Sequence, residues 1–390
     1  MGLGDGAVVG TTQLINNGSP SARWNLVIIG DGYKASELAQ FHTNANDVVN
    51  SMFATQPFND PGGLFTAPLA NAINVYRIDV SSTDSGADDP VACGGTGAMP
   101  ATYFDSRFCN SGTRRLLVCN SANVIAAVSA AVPQWHAILV LVNSTVYGGG
   151  GGAVATSSLA PGALEVALHE LGHSAFGLAD EYEYYLGCGV DVSNNNHPAG
   201  EPGEPNVTAT LSPLKWASFV TGGAAIPTST NANCAVCDPQ GNPVGAGTVG
   251  AFEGAHYYHC GAWRPQFNCK MRALGHPFCA VCQDRIRDVL GPFRPRRDRW
   301  RIYELIDRWL IHRPQDWVVD PSPMDLSRFA RLAQRVRAEG AEDDLSDLIS
   351  RAQSMSETEV RTALLRIKSQ ASRLEAAAST LEAALKGKRG

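Results

Sequence analysis

The sequence predicts an α/β sandwich with a mixed, twisted sheet, followed by an all-α C-terminal extension. Short apolar runs that are typical of buried strands alternate with helical patterns through the first half of the chain. The composition then changes after residue 292, where Arg, Leu, Ala and Glu become the dominant residues. Near the C-terminus, apolar residues recur with the spacing of one long helix.

Three strands and two helices are predicted in the first 143 residues. Residues 24–30 and 136–143 are continuous apolar runs of the kind found in central strands, whereas residues 73–80 alternate between apolar and polar side chains. Residues 35–54 and 121–132 carry apolar side chains at helical spacing. Strands separated by helices predict a sheet that is at least partly parallel.

A run of five glycines, Gly148–Gly152, follows Tyr147 and precedes the apolar segment Ala153–Thr156. Strand-like residues on both sides of the run favour an edge strand with bare backbone, although a loop beside the sheet is the alternative. An extended peptide can add to such an edge as one more strand. The predicted substrate edge is formed by Tyr147, Gly148, Gly149 and Gly150.

The helix predicted over residues 163–176 carries the pattern His-Glu-x-x-His. Positions four residues apart share one face of a helix, so His169 and His173 can bind one zinc ion. Glu170 between them can act as the general base, because it can take a proton from a zinc-activated water. The alternative is a surface helix that carries this spacing by chance.

A third metal ligand is predicted just beyond the helix. Gly177 can end the helix in a left-handed conformation and turn the chain back towards the metal. Asp180 follows three residues later, and the adjacent Glu181 is the alternative ligand. The stretch resembles the metzincin pattern His-Glu-x-x-His-x-x-Gly-x-x-His, but Gly177 lies four residues after His173 and a carboxylate replaces the last histidine. Either carboxylate could instead orient a ligand histidine.

Residues 187–255 are rich in Gly, Pro, Asn and Thr and predict a long irregular insertion. Irregular coil alone cannot offset the conformational entropy that such a segment loses on ordering, so cross-links are expected. The chain has ten cysteines. Two Cys-x-x-Cys pairs, Cys234 with Cys237 and Cys279 with Cys282, could form disulfides that tie the insertion to the core. The less favoured alternatives are a second, structural zinc bound by four thiolates, and free thiols.

Two domains are predicted: a catalytic domain over residues 1–292 and a helical extension over residues 293–390. Apolar residues at spacings of four and three predict a coiled coil over residues 356–386, which could self-associate or bind another protein. A tail helix that packs on its own domain is the alternative.

The charge distribution argues against nucleic acid as a partner. Residues 1–292 carry 12 basic and 22 acidic residues, and residues 293–390 carry 19 and 15. The catalytic part is therefore acidic and the extension is mixed in sign. No apolar run is long enough for a membrane span, and no signal peptide is expected in this chain. The cysteine count nevertheless favours an oxidising, extracellular location.

The sequence resembles the IgA peptidase family of zinc metalloendopeptidases, relatives of the metzincins. The resemblance implies a zincin fold, zinc-dependent endopeptidase activity and a protein or peptide substrate. It also places Met271 at a Met-turn beneath the metal, although an ordinary core methionine is the alternative. The resemblance favours an extracellular location as well. It rests on residues 25–33, 74–80, 85–88, 169–182, 252–255, 264–272 and 278–282.

Two other functions remain open from the residues alone. One is a zinc amidase or deacylase that uses the same chemistry on a non-protein substrate. The other is a zinc-bearing binding or adhesion module.

Overall fold

A computed structural model describes residues 2–62, 67–188 and 195–295 of the 390-residue chain. These residues form twelve helices and strands, apart from short 3-10 turns. The strands are β1 (Gly6–Ile15), β2 (Trp24–Asp31), β3 (Ile73–Ser82), β4 (Ala137–Val142), β5 (Gly149–Gly150), β6 (Ala155–Ser157), β7 (Phe252–Ala255) and β8 (Tyr258–Arg264). The helices are α1 (Leu38–Ala54), α2 (Ser121–Ala131), α3 (Ala163–Phe176) and α4 (Ala280–Leu290).

The central sheet has six strands in the order β1-β3-β2-β4-β6-β5. The four inner strands run parallel to one another, and the two edge strands β1 and β5 run antiparallel to their neighbours. The mixed sheet predicted from the sequence is confirmed. All residues of β2 and β4 are buried, as their continuous apolar sequences indicate.

Helices cover both faces of the sheet, because successive side chains of a strand point to opposite faces. Leu26 and Ile28 of β2 pack in the cluster that contains residues of α1, α3 and α4. Val27 and Ile29 pack in a second cluster, on the side of α2. Helix α3 therefore lies on the same face of the sheet as α1 and α4, and all three helices contribute to the core there.

Two parts of the fold differ from the sequence prediction. Strand β1 was not predicted, because most of its side chains are exposed and carry no apolar period. The β7–β8 hairpin was also not predicted, since its cysteine, glycine and histidine residues interrupt any alternation. The 187–255 insertion is irregular where the structure describes it, apart from the 3-10 turn Ala217–Phe219 and strand β7 at its end.

Disulfides stabilise the insertion, but the cysteines of the two Cys-x-x-Cys pairs bond neither within a pair nor between the pairs. Cys188 bonds to Cys237, and Cys234 bonds to Cys260 of β8, which ties the insertion to the hairpin. Cys279 and Cys282 are free. The four-thiolate zinc site predicted from Cys234, Cys237, Cys279 and Cys282 is therefore not formed. A third disulfide joins Cys93 to Cys109.

The helical extension predicted for residues 293–390, with its coiled coil at 356–386, lies outside the described residues from position 296 onward. Among the helices that the structure describes, none is long and apolar enough to cross a membrane.

Candidate functional site

The two histidines of α3 face the same space. Their Nε2 atoms lie 3.2 Å apart. His169 Nδ1 lies 3.0 Å from the carbonyl oxygen of Lys270, and His173 Nδ1 lies 2.7 Å from that of Leu178. A carbonyl oxygen only accepts hydrogen bonds, so each Nδ1 carries the ring proton of the neutral imidazole. Both Nε2 atoms are thereby left with lone pairs that point into the site.

The chain turns back to these histidines at the end of α3. Gly177 adopts the left-handed conformation, with φ 62° and ψ 40°, and its N–H bonds to the carbonyl of His173. Asp180 follows, and its Oδ1 lies 2.9 Å from His169 Nε2 and 3.2 Å from His173 Nε2. The structure thus brings together the three ligands predicted from the sequence.

Two tyrosines hold the other oxygen of this carboxylate. Asp180 Oδ2 accepts hydrogen bonds of 2.9 Å from the Tyr182 hydroxyl and 2.6 Å from the Tyr257 hydroxyl. Burial, followed by the negative charge of Asp180, raises the pKa of both hydroxyl groups, so they remain donors. Sequence reasoning missed both tyrosines. Tyr182 could have been suspected from its position two residues after Asp180, whereas no sequence signal marks Tyr257.

The converging atoms lack a positive charge that would balance the Asp180 carboxylate while both imidazoles are neutral. Asp180 Oδ1 is buried, and its near neighbours among the described residues are the two Nε2 atoms, which carry no proton in the neutral tautomers. Burial alone would lower the pKa of His169, but the hydrogen bond and charge of Asp180 outweigh it and raise that pKa to about 9. Burial opposes ionisation of Asp180, yet the charges and hydrogen bonds of both histidines hold its pKa well below the usual range. The site therefore favours positive charge, as a proton or as a cation.

The distances fit a metal ion. A tetrahedral ion with bonds of about 2.0–2.1 Å separates its ligand atoms by about 3.3 Å. The three separations in this cluster are 2.9, 3.2 and 3.2 Å. Two imidazoles and one carboxylate also make a ligand set that zinc accepts, with a fourth position left open.

Glu170 lies beside this cluster under the glycine segment. A Cβ atom on Gly149 would lie 2.8 Å from Glu170 Oε1, and one on Gly151 would lie 2.6 Å from the Cβ of His173. Glycine at both positions therefore lets the backbone pass directly over the active face of α3. Burial raises the pKa of Glu170, although the two histidines oppose that shift.

The glycine segment is an edge strand of the sheet, but its backbone is not bare at Gly149. The Gly149 N–H donates to the Arg115 carbonyl at 3.1 Å, and the Gly149 carbonyl accepts from the Leu117 N–H at 3.0 Å. The predicted substrate edge is wrong at this residue, because an upstream loop already covers it. Gly148 bonds to Ser158 through both its N–H and its carbonyl.

An open groove lies next to this edge. It is lined by residues 112–115, Val146, Tyr147 and Leu186. Tyr147 is 47% exposed. Partial burial raises the pKa of its hydroxyl, and the negative charge of Glu170 adds to that shift. Tyr147 therefore lines the groove, whereas Arg115 was not predicted.

Met271 lies directly beneath the metal-facing helix. It is fully buried, and a Cβ atom on Gly172 would come within 2.6 Å of its sulfur. Gly172 lies between the two histidines in the motif, so the methionine packs at the centre of the site's floor. The Met271 carbonyl also accepts a hydrogen bond of 2.8 Å from the Glu181 N–H.

Glu181, the alternative third ligand, is directed away from the histidines. It is fully buried, and its Oε1 accepts a hydrogen bond of 2.9 Å from Asn206. Its neighbours are the sulfur atoms of Cys269, Cys279 and Cys282. Burial raises its pKa well above the usual value.

Comparison with known proteins identifies the family of this chain. A family model described as IgA Peptidase M64 matches residues 12–235 and 240–290, which include the histidines, Glu170, Asp180 and Met271. A search of curated proteins found no match. The match spans both the sheet and the site described above. The chain therefore belongs to the IgA peptidase M64 family and is a metallopeptidase, a hydrolase that acts on peptide bonds.

Proposed function

We propose that this peptidase is a zinc-dependent endopeptidase, with His169, His173 and Asp180 as the metal ligands and Glu170 as the general base. The observation that carries the proposal is the convergence of three acceptor atoms within 3.2 Å of one another. Backbone carbonyls fix both imidazoles in the tautomer that presents Nε2 as a ligand. Such a cluster requires positive charge among the three atoms at neutral pH, and a metal ion supplies that charge without protonating either imidazole.

The ligand set favours zinc over harder cations. Calcium and magnesium prefer six or more oxygen ligands, whereas two imidazoles and one carboxylate are typical of a catalytic zinc site. A zinc ion held there supplies a Lewis acid that polarises a peptide carbonyl and makes water more acidic.

Glu170 is placed to move the proton. It takes a proton from the water that attacks the peptide carbonyl and then delivers it to the leaving amine. Burial raises the pKa of Glu170 above its ordinary value, which makes the carboxylate a better proton acceptor. The neighbouring glycine backbone at Gly149 shields the group from bulk water.

The groove next to the glycine edge strand suits a peptide chain as the substrate. Tyr147 and Leu186 offer exposed apolar surface, and the Arg115 guanidinium, which donates to the Tyr185 carbonyl at 2.8 Å, adds positive charge to the lining. Because the Gly149 backbone is occupied, we expect the substrate to bind along the groove rather than by pairing at that residue.

Cleavage of unfolded casein tests the proposal. We expect the full chain to cut casein at internal bonds, to lose activity in a chelator and to recover it with zinc. Cleavage only at chain ends, or full activity after the metal is removed, would contradict the proposal. An amidase, a deacylase or an adhesion module would leave casein intact.

A further inference from the structure

A second buried cluster lies below the histidine site. It consists of Glu181, Cys269, Cys279 and Cys282, each of which is at most 1% exposed. The residues come from three segments: the turn after α3, the turn that contains Met271, and the N-terminus of α4. The peptidase mechanism proposed above uses none of these four side chains.

The atoms of this cluster have the spacing of a tetrahedral metal site. Zinc–sulfur bonds of about 2.3 Å separate two thiolates by about 3.8 Å, and a thiolate from a carboxylate oxygen by about 3.5 Å. Cys269 Sγ and Cys282 Sγ lie 3.8 Å apart. Glu181 Oε1 lies 3.7 Å from Cys279 Sγ and 3.3 Å from Cys282 Sγ.

The surrounding groups hold the sulfur atoms in place. The Cys279 N–H lies 3.2 Å from Cys269 Sγ, and the Cys282 N–H lies 3.4 Å from Cys279 Sγ. Cys279 is the N-cap of α4, where the helix dipole favours negative charge. Hydrogen bonds from backbone N–H groups and a helix N-terminus both stabilise thiolates, the form of cysteine that binds metals.

Without a cation, the cluster leaves buried polar groups unsatisfied. Three thiols cannot all pair with one another, so a disulfide inside the cluster would leave one buried thiol beside Glu181. Glu181 Oε2 is itself buried without a hydrogen-bond partner among the described residues. A buried carboxylate with one oxygen unpaired is costly, and a cation at the cluster would offset that cost.

We propose that Glu181, Cys269, Cys279 and Cys282 bind a second, structural zinc ion. Soft thiolate ligands select zinc among the common divalent cations, and four protein ligands leave no open position for catalysis. The ion joins the segment that carries Asp180 to the turn that carries Met271 and to α4. Because Glu181 follows Asp180 directly, the second ion holds the third ligand of the histidine site in register.

Zinc content per chain, measured on the purified full chain, tests this proposal. We expect two zinc ions in the unaltered protein and one in the variant Cys279→Ser with Cys282→Ser. Cys119→Ser is the matched control and should keep two, because Cys119 is the one free cysteine of the described residues outside the cluster. One zinc in the unaltered protein, with no change in the double cysteine variant, would overturn the proposal.

Two further measurements keep the test valid if the cysteine variants do not fold. The variant His169→Ala with His173→Ala should keep one zinc, and X-ray absorption should show that this zinc is bound by sulfur at about 2.3 Å. That result stands even if the chain does not cleave casein, so the two proposals can fail separately. Thiol counting in denaturant without reductant should give four thiols. A count of two would reveal a disulfide in the cluster and refute the zinc site.

Discussion

Tyr257 donates a hydrogen bond of 2.6 Å to Asp180 Oδ2, and Tyr257→Phe removes that hydroxyl while keeping the ring. Tyr182 still donates to the same oxygen at 2.9 Å, so Asp180 loses orientation rather than all support. A hydrogen bond to a charged group contributes about 1.5–3 kcal/mol. Loss of such support for a metal ligand typically lowers metal affinity about 10- to 100-fold, or about 1.4–2.7 kcal/mol.

Casein cleavage in buffers of fixed free zinc concentration measures this effect at the histidine site alone. We expect the zinc concentration that gives half-maximal activity to rise about 10- to 100-fold in Tyr257→Phe. The maximal rate at saturating zinc should change much less. Tyr103→Phe, which alters a partly buried tyrosine that packs against the core cluster on the far face of the sheet, is the control and should leave the midpoint unchanged. An unchanged midpoint in Tyr257→Phe would refute the view that the hydroxyl orients a zinc ligand.

Two other predictions follow from the same site. Gly172→Ala places a methyl group against the Met271 sulfur, and this overpacking should destabilise the protein by about 1–3 kcal/mol. The higher helix propensity of alanine should offset roughly 1 kcal/mol of that cost. Gly203→Ala, which meets no atom within 4 Å, should change the denaturant midpoint little. In metal-free protein, the pKa of His169 is raised to about 9, so stability from its pairing with Asp180 should be full below about pH 6.5 and lost as the pH rises through 9. Saturating zinc should abolish this pH-dependent loss of stability. A metal-free protein whose stability does not fall over this pH range would contradict the prediction.

Local patterns predicted much of the helix that carries His169 and His173, including its end. The helix predicted over residues 163–176 coincides with α3, because apolar spacing, the histidine motif and Gly177 all act within one short segment. Asp180 follows from the same local turn. The buried strands were also predicted, since β2 and β4 carry continuous apolar sequences that only a central strand buries on both faces.

Contacts between distant segments could not be read from spacing. The loop of Arg115 and Leu117 covers the Gly149 edge, and nothing near the glycine run records that loop. The cysteine connectivity stayed open for the same reason, because sequence gives the number of cysteines but not which of them pair. Met271 came from the family resemblance, and Tyr257 was missed because it reaches Asp180 from 77 residues away.

The most direct test of the central claim is the activity and metal content of Glu170→Gln. We expect casein cleavage to fall by about 10²- to 10⁴-fold, because the amide cannot accept the proton of the attacking water. Zinc content should match that of the unaltered protein, since Glu170 is not a ligand in this account. Asp47→Asn, an exposed site on α1, is the control and should retain full activity. Full activity in Glu170→Gln would contradict its role as the base, and loss of zinc along with activity would place Glu170 among the metal ligands.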